Sequence, residues 1–565
     1  MHKFYKKILF VLFFSCFFTL FTFLLFKNIF FAKSLIISFS VHPFDLCSKY
    51  SSFWNCFKKI YIIVSFISFA IISNFLFSII SRPFFQNKSN FKKSIPLIHS
   101  NNELTLLVGV DEFNSPVFIT ENGLYQNILV TGTIGSGKTS SLLYPLLKQL
   151  ISFNCDNSSK ISMLILDVKG NFYKQVLTYA EKFNRLEDVI LIELNGKHTY
   201  NPLDKPNLKP HILANRLITI LSLFNTNHSD SYWLDKSEQI LAECIKLCRL
   251  YNNGYVNFIE LHKLIMNKKY YIEKINYLKT KFLNKELSEV EIYSLSTIID
   301  FFENEFFTLD SKVASILKSE VSRITNVFVS EPDILKTFCP SREEITFHGF
   351  AEVISSGKIV VLNMNISEYS SLSKIIAAYL KLDFQSEILS TLSKTTTNIS
   401  CFLSDEYHEY VTSTDANFFA QSREAKCINI LATQSYTSLL NTLKDEYSTK
   451  VIIQNLVNKF WFRTDDIFTI EDIQKQIGKI EKTYTSSTIS ENAKTTNYNP
   501  LTSSFVSKES SISESVNTYK QLDLVYDTNF FTQSLETFSC LSFISNGTQI
   551  LPPQKIKTIP YFKDI

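Results

Sequence analysis

Two long apolar runs mark the first part of the chain. Residues 8–26 and residues 60–80 carry no charged side chain, and each run is about as long as a helix that crosses a bilayer. We therefore predict two transmembrane helices, which make residues 1–94 a membrane anchor. A cleavable signal peptide is the alternative for the first run, but its apolar core is longer than usual and no small-x-small cleavage site follows it.

From residue 95 onward, apolar runs of strand length alternate with helical patterns. The predicted strands are 128–130, 161–167, 188–194, 358–365, 399–403, 428–434 and 458–464. Such alternation indicates a parallel sheet with helices on both faces, and therefore an α/β fold. We assign residues 95–210 and 346–565 to this sheet domain.

Between the two parts of the sheet domain, residues 211–345 show apolar positions at three- and four-residue spacing and no strand pattern. This pattern predicts an inserted all-helical domain. Within it, residues 268–285 interleave six lysines with aromatic side chains. The mixture suits phosphate contacts and base stacking, but a solvated face of an amphipathic helix explains it as well.

Residues 482–520 are rich in serine and threonine and poor in apolar periodicity. The composition favours a flexible loop or tail insertion.

A phosphate-binding loop follows the predicted strand at 128–130. Its pattern, a glycine, four residues, then Gly-Lys-Thr, stands between a buried strand and a helix, where backbone N–H groups converge on one point. Lys138 is expected to reach the β- and γ-phosphates of ATP, and the Thr139 hydroxyl to bind Mg²⁺. The predicted nucleotide-binding residues are Gly132, Thr133, Ile134, Gly135, Ser136, Gly137, Lys138, Thr139 and Ser140.

An ATPase also needs one carboxylate for the Mg²⁺ shell and a second that polarises the attacking water. Asp405 and Glu406 come just after the predicted strand at 399–403. We therefore predict that Asp405 binds the metal and that Glu406 polarises the attacking water. Asp167 is a competing candidate at another strand end. Because no second acid adjoins it, we favour the pair.

Two further polar residues are candidates for the reaction. Gln434 ends the predicted strand at 428–434, where its amide could sense the γ-phosphate or orient water; a polar residue in a turn is the alternative. Arg423 could act as an arginine finger on the nucleotide of a neighbouring subunit. An ordinary surface arginine is at least as good an explanation.

Composition adds limits but no function. The net charge of +4 decides nothing, and the ten cysteines form no pattern typical of structural zinc. Cys244 and Cys248 are expected to pack in a helical core. Cys47 and Cys56 could form a disulfide if their loop lies outside the cytoplasm, or could remain free.

Lysines flank both predicted spans on both sides, so the positive-inside rule gives little orientation. The availability of ATP in the cytoplasm places both chain ends inside and residues 27–59 outside.

Several motifs occur in an order that resembles the type IV secretion coupling proteins, the TraG/TraD-type conjugative ATPases. The two spans are followed by GTIGSGKT, LILDVKGNF, YNPLD, YWLDKSEQIL, FLSDEYHEY and SREAKCINILATQS. The resemblance covers most of the chain and implies a RecA-like P-loop NTPase domain with an inserted all-α domain. One departure is Ser404, which precedes the Asp-Glu pair where the family often has leucine or isoleucine.

The resemblance further implies a homo-hexamer around a channel in the bacterial inner membrane, with its ATPase domain in the cytoplasm. Its expected partners are single-stranded DNA or a relaxase–DNA complex and the components of a type IV secretion channel. Such a protein drives substrate transfer by ATP hydrolysis. Export of protein effectors alone and a nucleotide-binding scaffold without turnover are the alternatives; intact Lys138, Asp405 and Glu406 argue against the scaffold.

Overall fold

The computed structural model describes residues 11–22, 24, 59–75, 103–155, 159–167, 169–224, 231–393, 398–491, 496–499, 504–507 and 512–563. It divides into two compact units, Met1–Pro96 together with Ile565, and Leu97–Asp564.

In the first unit, residues 11–22 and 59–75 are helical; the first segment lies inside the predicted span 8–26, and the second overlaps the predicted span 60–80. Among the described residues, none of the helices combines the length and the apolar character needed to cross a membrane. The two spans therefore stay a prediction. Cys47 and Cys56 lie outside the described residues.

A large sheet organises the second unit. The described strands are β1 (Thr105–Val110), β2 (Pro116–Thr120), β3 (Ile128–Thr131), β4 (Ser162–Leu166), β5 (Val189–Ile192), β6 (Ile359–Leu362), β7 (Ser400–Ser404), β8 (Cys427–Thr433), β9 (Asn458–Phe462), β10 (Lys479–Glu491), β11 (Thr496–Asn499), β12 (Ser504–Ser507), β13 (Ile512–Leu524), β14 (Ser539–Phe543) and β15 (Gln554–Lys557). Eleven of them form one sheet in the order β2-β1-β15-β14-β9-β3-β8-β7-β4-β6-β5. The seven strands from β9 to β5 are parallel, and β14, β15, β1 and β2 extend the sheet antiparallel. The predicted α/β class is confirmed.

Both faces of the parallel strands are covered, which explains their continuous apolar sequences. Because side chains alternate along a strand, Ile128 and Val130 enter one core while Leu129 enters the other. One core includes the helix that follows the phosphate loop, and the other includes most of the helices inserted between β5 and β6.

The helices of this unit are α1 (Glu121–Leu124), α2 (Tyr144–Ser152), α3 (Phe172–Lys182), α4 (Pro210–Ser222), α5 (Ser231–Tyr251), α6 (Phe258–Met266), α7 (Lys268–Leu283), α8 (Glu289–Asp300), α9 (Ser311–Val329), α10 (Pro332–Phe338), α11 (Phe350–Ser356), α12 (Ile366–Ser390), α13 (Asp415–Gln421), α14 (Tyr436–Leu443), α15 (Glu446–Asn455) and α16 (Ile467–Ile477). Among the described residues, α4 to α11 connect β5 to β6 without an intervening strand. This agrees with the predicted helical insertion, although the boundaries of that domain stay a prediction.

Local sequence signals explain several ends and faces of the inserted helices. Ser288 and Glu291 form a reciprocal capping box at the start of α8, and Asn257 caps α6. Cys244 and Cys248 are both fully buried on α5, as predicted.

The described residues within 482–520 differ from the prediction of a flexible loop. Strands β10 and β13 pair antiparallel from Lys479 opposite Leu524 to Glu491 opposite Ile512. Threonine, tyrosine, isoleucine and valine recur along both strands, and these residues favour extended backbone. The ribbon was missed because the serine and threonine content hid its strand propensity.

Candidate functional site

The order of the sheet brings three strand ends together. Strand β8 lies between β3 and β7, and all three are parallel. The segments that leave their carboxyl ends therefore meet at one edge of the sheet, which is where parallel α/β sheets bind ligands. The three segments are the phosphate loop, the Asp405-Glu406 pair and Gln434.

Two glycines of the phosphate loop occupy positions where a side chain does not fit. A Cβ added at Gly132 would lie 2.6 Å from the Cβ of Phe462. Gly137 has a φ of +100°, and its Cβ would lie 2.5 Å from the ring of Phe538. The tip of the loop is open, since nothing lies within 4 Å of a Cβ at Gly135 and Ile134 is exposed.

The remaining loop residues complete a compact turn into the helix. Ser136 donates a hydrogen bond to the carbonyl of Thr133 at 2.7 Å. Residues Thr139–Leu143 form a π-wound turn that continues into α2, so backbone N–H groups face the loop. Ser140 donates to the Gly137 carbonyl at 3.3 Å.

Lys138 is folded onto the loop that carries it. Its Nζ donates to the carbonyl oxygens of Gly132 and Thr133, and only 6% of the residue is exposed. Burial lowers the pKa of Lys138, while the nearby charges of Glu406 and Asp405 act to raise it. The amine is thus held at the loop next to two carboxylates.

Asp405 contacts the phosphate loop directly. Its Oδ2 accepts a hydrogen bond from the Thr139 hydroxyl at 2.9 Å. Burial raises the pKa of Asp405 to about 6, and the charges of Glu406 and Asp167 add to the effect. Crowding of carboxylates that raises a pKa in this way is relieved when a cation binds.

Glu406 has an unusual backbone conformation and is paired with a lysine from the turn that follows the neighbouring strand β4. Its φ is +51°, and its Oε1 lies 3.0 Å from the Nζ of Lys169. The Oε2 atom is buried without a hydrogen-bond partner among the described residues, and the His408 Nδ1 lies 3.8 Å away. Burial acts to raise the pKa of Glu406, but Lys169 and Lys138 outweigh it and hold the pKa below its usual value.

Asp167 has a different set of partners. Its carboxylate accepts hydrogen bonds from the backbone N–H groups of Lys169 at 3.0 Å, Asn171 at 2.8 Å and Phe172 at 3.1 Å. These bonds order the turn between β4 and α3, so they favour a structural role for Asp167.

The structure separates Arg423 from the other predicted site residues. Gln434 directly follows β8 and is half-buried at the edge where the phosphate loop lies. Arg423 precedes β8, at the opposite edge of the sheet, where it is exposed and donates to the carbonyl of Gly547 at 3.5 Å.

The C-terminal segment supports the phosphate loop, which the sequence did not indicate. The Phe538 N–H donates to the Ser136 carbonyl at 3.2 Å, and the Tyr561 N–H donates to the Ser140 carbonyl at 2.9 Å. Thr558 and Ser141 share a hydrogen bond of 2.6 Å between their hydroxyls. Lys169 lies within the LILDVKGNF motif, but no role was predicted for it, and the C-terminal segment carried no recognisable motif.

The donor set fits a nucleotide together with a hard divalent cation. Thr139 and Asp405 are adjacent oxygen ligands, and hard cations such as Mg²⁺ prefer oxygen. Within the described part of the chain, no cluster of three His, Cys, Asp or Glu side chains could hold a metal. Phosphate oxygens and water would complete the shell, which is how Mg²⁺ is usually bound in nucleotide sites.

Residues 117–282 match the family model of the type IV secretion-system coupling protein DNA-binding domain. The predicted resemblance to the coupling proteins is confirmed. No curated protein matches the chain.

Solved coupling-protein structures share the fold. The unbound monoclinic form of the bacterial conjugative coupling protein TrwBdeltaN70 is 13% identical, with a TM-score of 0.52 over 80% of this chain and 88% of that one. The plasmid coupling protein TrwB in complex with ADP and Mg²⁺ is also 13% identical, with a TM-score of 0.52 over 80% and 89%. The complex of TrwB with the non-hydrolysable GTP analogue GDPNP gives the same values. The mixed α/β fold with its large parallel sheet is thus similar to that of TrwB.

Proposed function

We propose that this protein is a membrane-anchored ATPase that couples DNA or nucleoprotein to a type IV secretion channel and drives its transfer. One observation carries the proposal: the Thr139 hydroxyl at the phosphate loop contacts Asp405, and Glu406 follows at the next position. A phosphate cradle, a metal ligand and a candidate base therefore share one edge of a RecA-like sheet.

Each residue of this arrangement has a role in ATP hydrolysis. Lys138 would bind the β- and γ-phosphates, Thr139 and Asp405 would hold Mg²⁺, and Glu406 would accept a proton from the attacking water. When bound, Mg²⁺ would neutralise charge on the phosphate oxygens. The Lys169 ammonium fixes the Glu406 carboxylate by its Oε1, which leaves Oε2 free to face the water.

The likeness to TrwB supports the choice of nucleotide and metal. That protein has been solved with ADP and Mg²⁺ and with GDPNP. We propose ATP and Mg²⁺ as the cofactors of this chain, because its own loop and carboxylates provide the matching donors.

DNA is the proposed substrate because the matched family model describes a DNA-binding domain. The lysine-rich helix α7 contributes less than its composition suggested. Lys268 lies over the ring of Phe307 at 4.3 Å, and Lys274 lies over the rings of Tyr251 and Tyr270 at 4.7 and 4.8 Å. These contacts fit a solvated helix face, while exposed Lys269 and Lys279 remain open to phosphate contacts.

The anchor and the assembly complete the proposal. We place the protein in the bacterial inner membrane through residues 8–26 and 60–80, with the second unit in the cytoplasm. A homo-hexamer would bring Arg423, which lies away from its own phosphate loop, within reach of a neighbour's nucleotide. The proposed partners are the channel components and a relaxase–DNA complex.

ATP hydrolysis by the purified full chain, with and without single-stranded DNA, tests this function. We expect turnover that DNA stimulates, together with DNA binding that weakens steeply as salt increases. If DNA does not change the turnover rate and the protein shows no salt-sensitive DNA binding, the alternative function, export of protein effectors alone, would be favoured. Absence of turnover would favour a docking scaffold.

A further inference from the structure

A cavity lies on the sheet face covered by α14, α15 and α16. It has a volume of about 380 Å³, and β9 forms its floor through Lys459. Lys459 is the second residue of β9, near the amino end of the strand, whereas the phosphate loop lies at the carboxyl ends of the parallel strands. The cavity is therefore separate from the nucleotide site.

Lys459 is an unpaired cation at this cavity. Only 3% of the residue is exposed, and within the described part of the chain its amine has no hydrogen bond or ion pair. Burial lowers the pKa of Lys459 to about 8, against a smaller opposing effect from Asp472. Buried charges in proteins are usually paired, because an unpaired one loses its hydration without compensation.

The other charges at the cavity do not supply the missing anion. Lys450 is exposed and pairs with Glu446 at 2.6 Å, and Lys475 is exposed and pairs with Glu471 at 3.6 Å. Asp472 is the single acid among the lining residues, and it lies farther than an ion-pair distance from Lys459. With Lys450 and Lys475 paired, Lys459 is left as the lining cation that has no ion-pair partner among the described residues.

The walls indicate the size and shape of a ligand. Gln454 and Gln476 add amide groups to the lining, and Ile453 and Phe468 add apolar side chains. A lysine ammonium together with amide N–H donors can bind the oxygens of a phosphate group. The volume is within the range of pockets that bind small molecules.

We propose that this cavity binds a phosphate-bearing small molecule, with its phosphate on Lys459 and its apolar part against Phe468. The site is additional to the proposed ATPase centre and does not depend on it. A ligand in this cavity would contact β9 through Lys459. Strand β9 pairs directly with β3, which leads into the phosphate loop.

Pyridoxal 5′-phosphate is a suitable probe, because its aldehyde forms a reducible imine with an amine while its phosphate occupies an anion site. The purified full chain is treated with the probe, reduced with borohydride and mapped by peptide mass spectrometry. We expect labelling at Lys459 to exceed that at Lys450 and Lys475, which line the same cavity but are paired. Labelling at Lys138 is resolved separately by its own peptide and is protected by Mg²⁺-ATP.

Competition identifies the chemistry. Inorganic phosphate or AMP at about ten times its dissociation constant should reduce labelling of Lys459 about tenfold, whereas chloride or acetate at equal ionic strength should not. Pyridoxal, which lacks the phosphate, should label Lys459 much less. Equal labelling by pyridoxal would mean that the low pKa alone makes the amine reactive, and would overturn the proposal. Protection by acetate, or by single-stranded DNA but not by phosphate or AMP, would overturn it as well.

A pair of variants provides an independent test. In a Lys138→Ala background, which removes the lysine of the phosphate loop, inorganic phosphate should still raise the melting temperature. The added change Lys459→Met should abolish that rise, and Lys475→Met should preserve it. Lys459→Met removes an unpaired buried charge, so the variant should fold. An unchanged phosphate effect in Lys459→Met would contradict the assignment.

Discussion

Replacing Lys381 with methionine perturbs a buried network behind the candidate site. Lys381 on α12 and Asp415 at the start of α13 are fully buried, with 2.6 Å between Nζ and Oδ2. The Asp415 carboxylate also accepts hydrogen bonds from the Tyr407 hydroxyl and from Gln385 and Thr412. Because Tyr407 follows Glu406 in the chain, this network anchors the backbone that carries the candidate base.

The expected loss of unfolding free energy in Lys381→Met depends on the groups that still surround Asp415. Methionine has a similar length and leaves the Asp415 carboxylate buried without its cation. Removing one partner of a buried pair costs about 3–5 kcal/mol, and the remaining neutral donors place this variant near the lower end. The double change Lys381→Met with Asp415→Asn should restore most of the loss, since no charge is then left uncompensated.

Urea unfolding of the wild type and of both variants measures the free energies of unfolding. The single variant should lose about 3 kcal/mol and the double variant clearly less. Steady-state kinetics should also show a lower kcat for the single variant, because the turn at Glu406 loses its support. A single variant within about 0.5 kcal/mol of the wild type, or a double variant that is worse than the single one, would refute this reasoning.

Three further predictions concern the site itself. Lys169→Met should lower kcat about tenfold, because the Lys169 ammonium positions Glu406. ATP affinity and the free energy of unfolding should change little, because the Lys169 side chain is 55% exposed. Lys169→Arg should retain most activity in the same kinetic assay. Asp167→Asn should cost about 1–2 kcal/mol in urea unfolding through weaker bonds to three backbone N–H groups, yet slow ATP turnover less than Glu406→Gln does. Gly137→Ala should abolish ATP binding measured by calorimetry, because its Cβ would collide with the ring of Phe538.

The parallel strands could be predicted because both of their faces are buried. Runs such as Ile359–Leu362 and Ser162–Leu166 are almost continuously apolar, and this signal does not depend on distant contacts. The pairing of β10 with β13 could not be predicted in this way. Its residues are exposed and polar along much of its length, so no apolar alternation revealed it.

The site was predictable where chemistry coincides with strand ends. Lys138, Thr139 and Asp405 come together because parallel strands place their carboxyl ends at one edge. The partner of Glu406 could not be predicted, since Lys169 reaches it from the turn after β4, more than 200 positions away in the sequence. The same holds for the C-terminal segment, whose contacts with the phosphate loop depend on how β14 and β15 add to the sheet.

Single-turnover hydrolysis of ATP by Glu406→Gln, alongside a direct measurement of ATP binding, tests the central claim most directly. The amide keeps the size of the side chain but cannot accept the proton, so we predict a rate at least about a hundredfold below the wild type with ATP binding retained. Lys138→Ala should instead lose binding and turnover together. Hydrolysis by Glu406→Gln near the wild-type rate, with Asp167→Asn inactive, would contradict the account. The catalytic carboxylate would then be Asp167, at the end of β4.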